Sequence, residues 1–340
     1  LDIPDRDRDA RPPAAVQAST GETGAGGAHP AESGFRALPL LGVVLLSTLM
    51  CFTRLGARAL WQDEGETAVL ATSILSHGVP LARVGGNLVL QDVVAYDADY
   101  RWTFHPWGSF YLAAAGIGLG GRSEWAARLP FAACGVLATG LLYVVVWRNW
   151  RRTATAALCS GLLALSVPFA LHARQCRYYS ASALSCLIVV GLFLELVHRP
   201  SRRKAIAWAV ALALQFYVDF GTLMALLPGM AISLVILRPA RSARPMLASG
   251  LLGGLVACVP GLLLHGARLV QPGGSLMPLA DRLVAHLCYL DGWFTPVGLL
   301  VVSAVVLLVR GRAGWTLQTR TAAACGIILV AGVLLIAVPA

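Results

Sequence analysis

The sequence predicts an all-α fold: a polytopic transmembrane helical bundle of about nine spans, with a long first outer loop that carries juxtamembrane amphipathic helices. Three observations predict it. Of 340 residues, 57% are hydrophobic and 13% charged, about half the ~25% charge of a soluble domain. Apolar runs approaching the ~20 residues that a membrane span needs recur from residue 38 onward. Basic residues collect in short loops between those runs, as they do on the cytoplasmic side of membrane proteins. The net charge of +10 therefore labels loops. It calls for no nucleic acid, and the partner that the composition requires is the lipid bilayer.

Residues 1–37 hold six acids among Arg, Pro, Ala, Ser and Gly, with almost no large apolar side chain to bury. This predicts a disordered cytoplasmic tail. The tail is too long and too acidic for a signal-peptide n-region, so the first apolar run reads as a retained helix. Residues 38–340 form the membrane-embedded domain. Its expected spans are 38–55, 129–147, 154–171, 181–197, 205–220, 222–237, 246–265, 293–309 and 321–338. Residues 56–128 make the first outer loop and 266–292 a later one.

The stretch from Trp107 to Gly120 is apolar but short and glycine-rich, which suits an interfacial segment better than a span. The loops support that reading. Arg148, Arg151 and Arg152 form one basic cluster, and Arg199, Arg202, Arg203 and Lys204 the next. Arg238, Arg241 and Arg244 follow, then Arg310, Arg312 and Arg320. If 107–120 lies on the surface, all four clusters share the side of the N-terminal tail, the cytoplasmic side by the positive-inside rule. Outside the tail there are eleven acids, and this topology puts ten of them on the outer side, with only Glu195 near the basic face. The eight cysteines fall mostly inside apolar runs, with no CxxC, and read as small buried hydrophobes.

The first outer loop is rich in aromatics, among them Trp61, Trp102, Trp107, Trp125, Tyr96 and Tyr100, which suits a membrane interface. Residues 64–76 carry apolar side chains at 68–71, 74 and 75, the pattern of a short amphipathic helix. Asp63 and Glu64 stand at its start. An ionised Asp beside apolar surface is a candidate general base; Asp63 also fits as a helix N-cap followed by first-turn acids. His105 precedes Pro106, which suits a first helical turn, and is either structural or a phosphate ligand. Arg174 and Arg177 lie on the outer side against the charge bias. They suit phosphate oxygens through the planar guanidinium fork, or they snorkel to headgroups. A carboxylate pair, a His and an Arg pair facing one compartment beside apolar helices suit transfer of a lipid-phosphate-linked group.

In order along the chain, these residues resemble the GT-C superfamily of integral-membrane glycosyltransferases. The resemblance is to the branch of protein O-mannosyltransferases and bacterial aminoarabinose transferases (glycosyltransferase family 39-like). In that family an Asp-Glu pair follows an aromatic, as in Trp61-Gln62-Asp63-Glu64. A His-Pro or Lys-Pro step opens a juxtamembrane helix, as in His105-Pro106-Trp107-Gly108. A segment like Ser123-Glu124-Trp125-Ala126-Ala127-Arg128-Leu129-Pro130 leads into the second span. An Arg–x–Tyr step follows, as in Arg177-Tyr178-Tyr179. The similarity covers about residues 38–200; beyond them only hydropathy agrees.

The resemblance implies inverting transfer of a hexose or pentose from a polyprenyl-phosphate-linked donor. The acceptor would be a glycan, lipid or protein at the outer face of a bacterial plasma (inner) membrane. Asp63 would be the base, with Glu64 supporting it or touching the acceptor. His105, Arg174, Arg177 and Tyr179 would hold the donor phosphate. No cofactor is required. The usual His-Pro-Pro is His-Pro-Trp here, a change at the donor groove. Asp97-Ala98-Asp99 looks like the metal-binding Asp-x-Asp of nucleotide-sugar transferases but reads as a loop turn, and no His/Cys spacing suggests zinc or another metal site. The rival reading is a lipid or solute transporter or flippase. It predicts ionisable residues and broken helices near the bilayer midplane, whereas Asp219 and Glu195 fall near span ends.

Overall fold

The computed structural model describes residues 36–89, 95–269 and 316–337. Most of the expected tail (1–37) and later outer loop (266–292), and all of the expected 293–309 span, lie outside the described residues. Among the described residues the chain forms eleven helices and one two-stranded antiparallel ribbon. α1 is Ala37–Phe52 and α2 is Gln62–His77. The ribbon pairs β1 (Arg83–Val84) with β2 (Asn87–Leu88). α3 is Gly108–Gly120, α4 Glu124–Trp150, α5 Thr153–Leu165, α6 Val167–Ala173 and α7 Tyr179–His198. α8 is Arg202–Val218, α9 Phe220–Leu237, α10 Ala243–Leu269 and α11 Leu317–Ala337.

Among the described residues, four helices, α4, α7, α9 and α10, are long and apolar enough to cross a bilayer. The pair α5–α6 makes a fifth span if read as one. The protein is a multi-pass membrane protein. α1 and α8, at 16 and 17 residues, are shorter. α3 has 13 residues and is about 20 Å long, well short of the ~30 Å hydrocarbon core.

The expected continuous helix over 154–171 is broken, with a 65° bend between α5 and α6. The local sequence Ser166-Val167-Pro168 explains this. Proline has no N–H for the helical ladder, and its ring crowds the preceding turn. Ser166 accordingly takes an extended conformation, and its hydroxyl accepts from the Phe169 amide at 3.4 Å, restarting the helix.

Named contacts sort the helix ends into two groups. At one end the Tyr143 hydroxyl donates to Arg36 O (2.9 Å), tying late α4 to the start of α1. There Glu195 of α7 pairs with Arg148 and Lys204, each at 2.8 Å, and Thr321 of α11 lies 3.3 Å from His198. At the other end Arg174 reaches the last turn of α1, Arg128 reaches the residues after it, and His265 of α10 reaches Thr103. Arg148, Arg199 and Lys204 thus lie at one end with Glu195. Asp63, Glu64 and Glu66 lie at the other.

Among the described residues, the two largest of four hydrophobic clusters position the site. One joins α7, α8, α9 and α10 around Phe193, Trp208, Phe216, Leu223 and Met230. The other packs the first long loop against α4 and the α6–α7 connection, around Leu70, Trp102, Phe110, Phe131 and Cys176. The loop aromatics therefore divide: Trp102 is completely buried, while Trp61 and Trp125 are exposed. α3 is locked against α8 because Gly108 meets Tyr217, where a Cβ would stand 2.5 Å from the carbonyl oxygen.

Candidate active site

The site is built around the start of α2. This helix begins two residues earlier than the Asp63 N-cap reading places it: Trp61 is the N-cap, extended at φ −80°, ψ 172°. Glu64, in the first turn, accepts from the Trp61 amide at 3.3 Å and so covers an orphan donor.

Glu64 does not face the outside. Its side chain is 1% exposed, against 8% for Arg128. The guanidinium Nε donates to Oε1 (2.8 Å) and Nη2 to Oε2 (2.6 Å), a bidentate fork. The Cys176 amide also donates to Oε1, at 2.7 Å. Arg128 has donors left over. Nη1 donates to Leu55 O and Arg58 O, and Nη2 to Ala59 O, at 2.7–3.1 Å. One buried ion pair therefore binds the exit of α1, the start of α2, the second turn of α4 and the α6–α7 connection.

Asp63 points the other way, toward Arg177. Arg177 Nη2 lies 3.4 Å from Asp63 Oδ2, and Nη1 lies 3.7 Å from Glu66 Oε1. Nη1 also donates to Asp63 O (3.3 Å) and to the Thr67 hydroxyl (3.4 Å). Asp63, Glu66 and Thr67 share a face because helical residues three and four apart are neighbours. The carboxylates that meet at one arginine are thus Asp63 and Glu66. Burial pushes the Glu66 carboxyl above its usual range, as does the nearby Asp63 charge, while Arg177 opposes both. In the sequence, Glu66 is one of the eleven acids outside the tail. Its three-residue spacing from Asp63 on an expected helix was the available signal.

His105 lies against Phe104, with ring centroids 4.5 Å apart, and 6.5 Å from the Tyr178 ring. Its Nδ1 is buried with no hydrogen-bond partner among the described residues. Burial, then the charges of Arg177 and His265, lower its pKa from 6.5 to about 4. His105 is therefore neutral near pH 7. Arg177 Nε is buried and likewise unpartnered. An orphan imidazole nitrogen and an orphan guanidinium N–H, electrostatically coupled, are polar groups that a bound anion would satisfy.

The two sequence-predicted arginines part company. Arg177 faces Asp63, whereas Arg174 Nη2 donates to Thr53 O at 2.7 Å and, at 3.4 Å, to Arg54 O, covering carbonyls at the end of α1. Tyr179 lies between His172 (4.6 Å) and Tyr178 (4.7 Å), its ring tilted against both. Tyr178 lies nearer the charges: Arg177 stands 5.7 Å from its ring, and burial and then Asp219 push its phenol up to about 12.

His265 was also missed. It is 1% exposed and lies 3.0 Å from Thr103 O through Nδ1, which brings α10 to the loop that carries His105. Nothing in its sequence surroundings marks it. The Asp97-Ala98-Asp99 segment is a turn, with Asp97 Oδ1 accepting from the Asp99 and Arg101 amides at 3.0 and 2.8 Å.

The family model described as dolichyl-phosphate-mannose-protein mannosyltransferase matches residues 104–263. The fold is similar to crystal structures of ArnT from Cupriavidus metallidurans, both at a TM-score of 0.53. The structure bound to undecaprenyl phosphate is 20% identical and the apo structure 21%. Each comparison covers 88% of this chain and 59% of ArnT. This chain has a GT-C fold. No curated protein matches its sequence. The chain spans a little over half the length of the ArnT structures it matches. The family match runs from Phe104 to Leu263, so it takes in His105, Arg128 and Arg177 but leaves out His265 and the acids Asp63, Glu64 and Glu66. Within the GT-C fold, these three acids reach the matched segment through Arg128 and Arg177.

Proposed function

We propose that the protein is a membrane glycosyltransferase that moves a sugar from a polyprenyl-phosphate-linked donor to an acceptor, with inversion, at the outer face of a bacterial plasma membrane. The observation that carries this reading is the meeting of Asp63, Glu66 and Arg177 beside the unpartnered His105 nitrogen, at the end opposite the Glu195 cluster. Two likenesses favour the donor class. The matching family's description names a dolichyl-phosphate-mannose donor, and one similar structure holds undecaprenyl phosphate. Both are polyprenyl phosphates. The orientation follows from the basic loops, which belong on the cytoplasmic side.

In the proposed step, Asp63 takes a proton from an acceptor hydroxyl or amine. The freed lone pair forms a bond to the anomeric carbon. The carbon–oxygen bond to phosphate breaks from the opposite face, and polyprenyl phosphate leaves with the electron pair. Arg177 and His105 meet the charge that develops on the leaving oxygens, the kind of pre-set electrostatic stabilisation that lowers a barrier most. Donor phosphate competes with Asp63 for the Arg177 guanidinium, so its arrival loosens the Asp63–Arg177 pair and leaves the carboxylate to the acceptor. Glu64 acts through Arg128 as a positioning residue: it fixes the first turn of α2, and with it Asp63.

The test uses the whole chain in membrane vesicles loaded with a radiolabelled polyprenyl-phosphate sugar. Consumption of donor by the native chain and its loss in Asp63→Asn are expected. Full turnover by Asp63→Asn would overturn the choice of base, and donor movement across the bilayer without sugar transfer would favour a flippase.

A further inference from the structure

A second site lies at the opposite end from the acids. α9 packs on α11 and α10 on α8, which leaves a cleft between α9 and α10. It forms a cavity of about 740 Å³. Leu227 and Leu234 of α9, Leu251 of α10 and Trp208 of α8 line it, and Arg238 and Arg244 stand at one end. The cleft is apolar along its depth and cationic at one mouth. Both arginines are exposed, and neither has an acidic partner among the described residues. Trp208 is 3% exposed, and its buried indole nitrogen has no hydrogen-bond partner among the described residues.

We propose that this cleft binds an anionic phospholipid of the leaflet on the basic side, its phosphate on Arg238 and Arg244 and an acyl chain between α9 and α10. Depth supports the assignment. From Leu227 to Arg238 is eleven residues of helix, about 16 Å, or half of the ~30 Å hydrocarbon core. The cleft is therefore one leaflet deep. Charge supports it too, because guanidinium groups beside an apolar slot between membrane helices match a phosphodiester above an acyl chain. The phosphate of a polyprenyl donor in the proposed active site would sit at the other end of the bundle, so this is a separate lipid. The Arg238 side chain leaves from the end of α9: its residue adopts φ 49° as the helix C-cap, with its N–H donating to Leu234 O.

The experiment is native mass spectrometry of the full chain released from nanodiscs that hold equal phosphatidylglycerol and phosphatidylcholine. Preferential retention of phosphatidylglycerol is expected. Arg238→Gln and Arg244→Gln should each lower it about fivefold, the worth of one basic side chain at an anionic surface. Ala231→Trp, placed on the cleft wall, should lower retention of the lipid with both arginines intact. Melting curves report whether the variants stay folded. Equal retention of the two lipids, or phosphatidylglycerol retention unchanged in all three variants, would overturn the proposal. So would crosslinks from a cysteine at position 231 to residues 270–315, which would show that the chain itself fills the cleft.

Discussion

Glu64 and Arg128, 64 positions apart in sequence, share two hydrogen bonds of 2.8 and 2.6 Å in the protein interior. Removing one member of such a pair leaves an uncompensated buried charge, at a cost of about 3–5 kcal/mol. Glu64→Gln is expected to lower the unfolding free energy by about that much in denaturant titrations in detergent. Arg128→Lys will not restore it, because an ammonium cannot reproduce the fork and the carbonyls of Leu55, Arg58 and Ala59 also depend on this guanidinium. A melting curve identical to the native chain in both variants would contradict the tethering role.

Asp63→Asn separates chemistry from folding. The side chain is part-exposed and outside the buried fork, so the variant should melt as the native chain does. Its turnover should fall about 10²–10⁴-fold, the usual worth of a positioned base. Arg177→Gln should instead raise the donor KM. Single-turnover assays with labelled donor distinguish the two.

The pH dependence follows from His105 and Glu66. The His105 pKa is about 4 in the folded protein against 6.5 normally. The unfolded chain thus binds more protons between those values, and stability falls as pH drops from 6.5 toward 4. Glu66 is shifted up from 4.5, so the folded chain holds its proton longer and stability falls as pH rises above 4.5. His105→Gln should flatten the acid side of a plot of melting temperature against pH. An unchanged acid limb would rule out burial of a neutral His105.

Gly108 and Gly42 make a matched pair of tests. A Cβ at Gly108 would stand 2.5 Å from Tyr217 O, while one at Gly42 meets nothing within 4 Å. Gly108→Ala should cost about 1–3 kcal/mol through displaced backbone and lower activity by moving α3. Gly42→Ala, inside a helix, should be neutral or stabilising by up to about 1 kcal/mol. Equal melting temperatures would show that α3 does not depend on this contact.

Sidedness is testable without activity. Asn87 and Arg203 are both exposed. A cysteine at Asn87 should react with an impermeant thiol reagent added outside intact cells, and one at Arg203 only after lysis. The reverse pattern would invert the proposed orientation.

Hydropathy made the bundle legible, because apolar length and basic loops are local properties. α4, α7, α9 and α10 fall within a few residues of the expected spans. The break at Ser166-Val167-Pro168 was written in the chain but was outweighed by the apolar run around it. At the site, residue types and order picked out Asp63, His105 and Arg177, which the fold brings to one end. Orientation was not legible. Neighbours in sequence, Asp63 and Glu64 leave α2 on different faces, one toward Arg177 and one into the interior. Arg174 and Arg177, three apart, likewise diverge. His265 reaches the site only through the packing of α10, a long-range contact without a local signature.

A single residue, Asp219, both ends α8 and starts α9. Its carboxylate accepts from the Thr222 amide and hydroxyl and, at 2.8 Å, from the Ser182 hydroxyl on α7. A connection this short has no slack. Neither helix can slide along the membrane normal without dragging the other, and the bond to Ser182 couples α7 to the same motion. Through one carboxylate, α7, α8 and α9 are tied to move as a single unit.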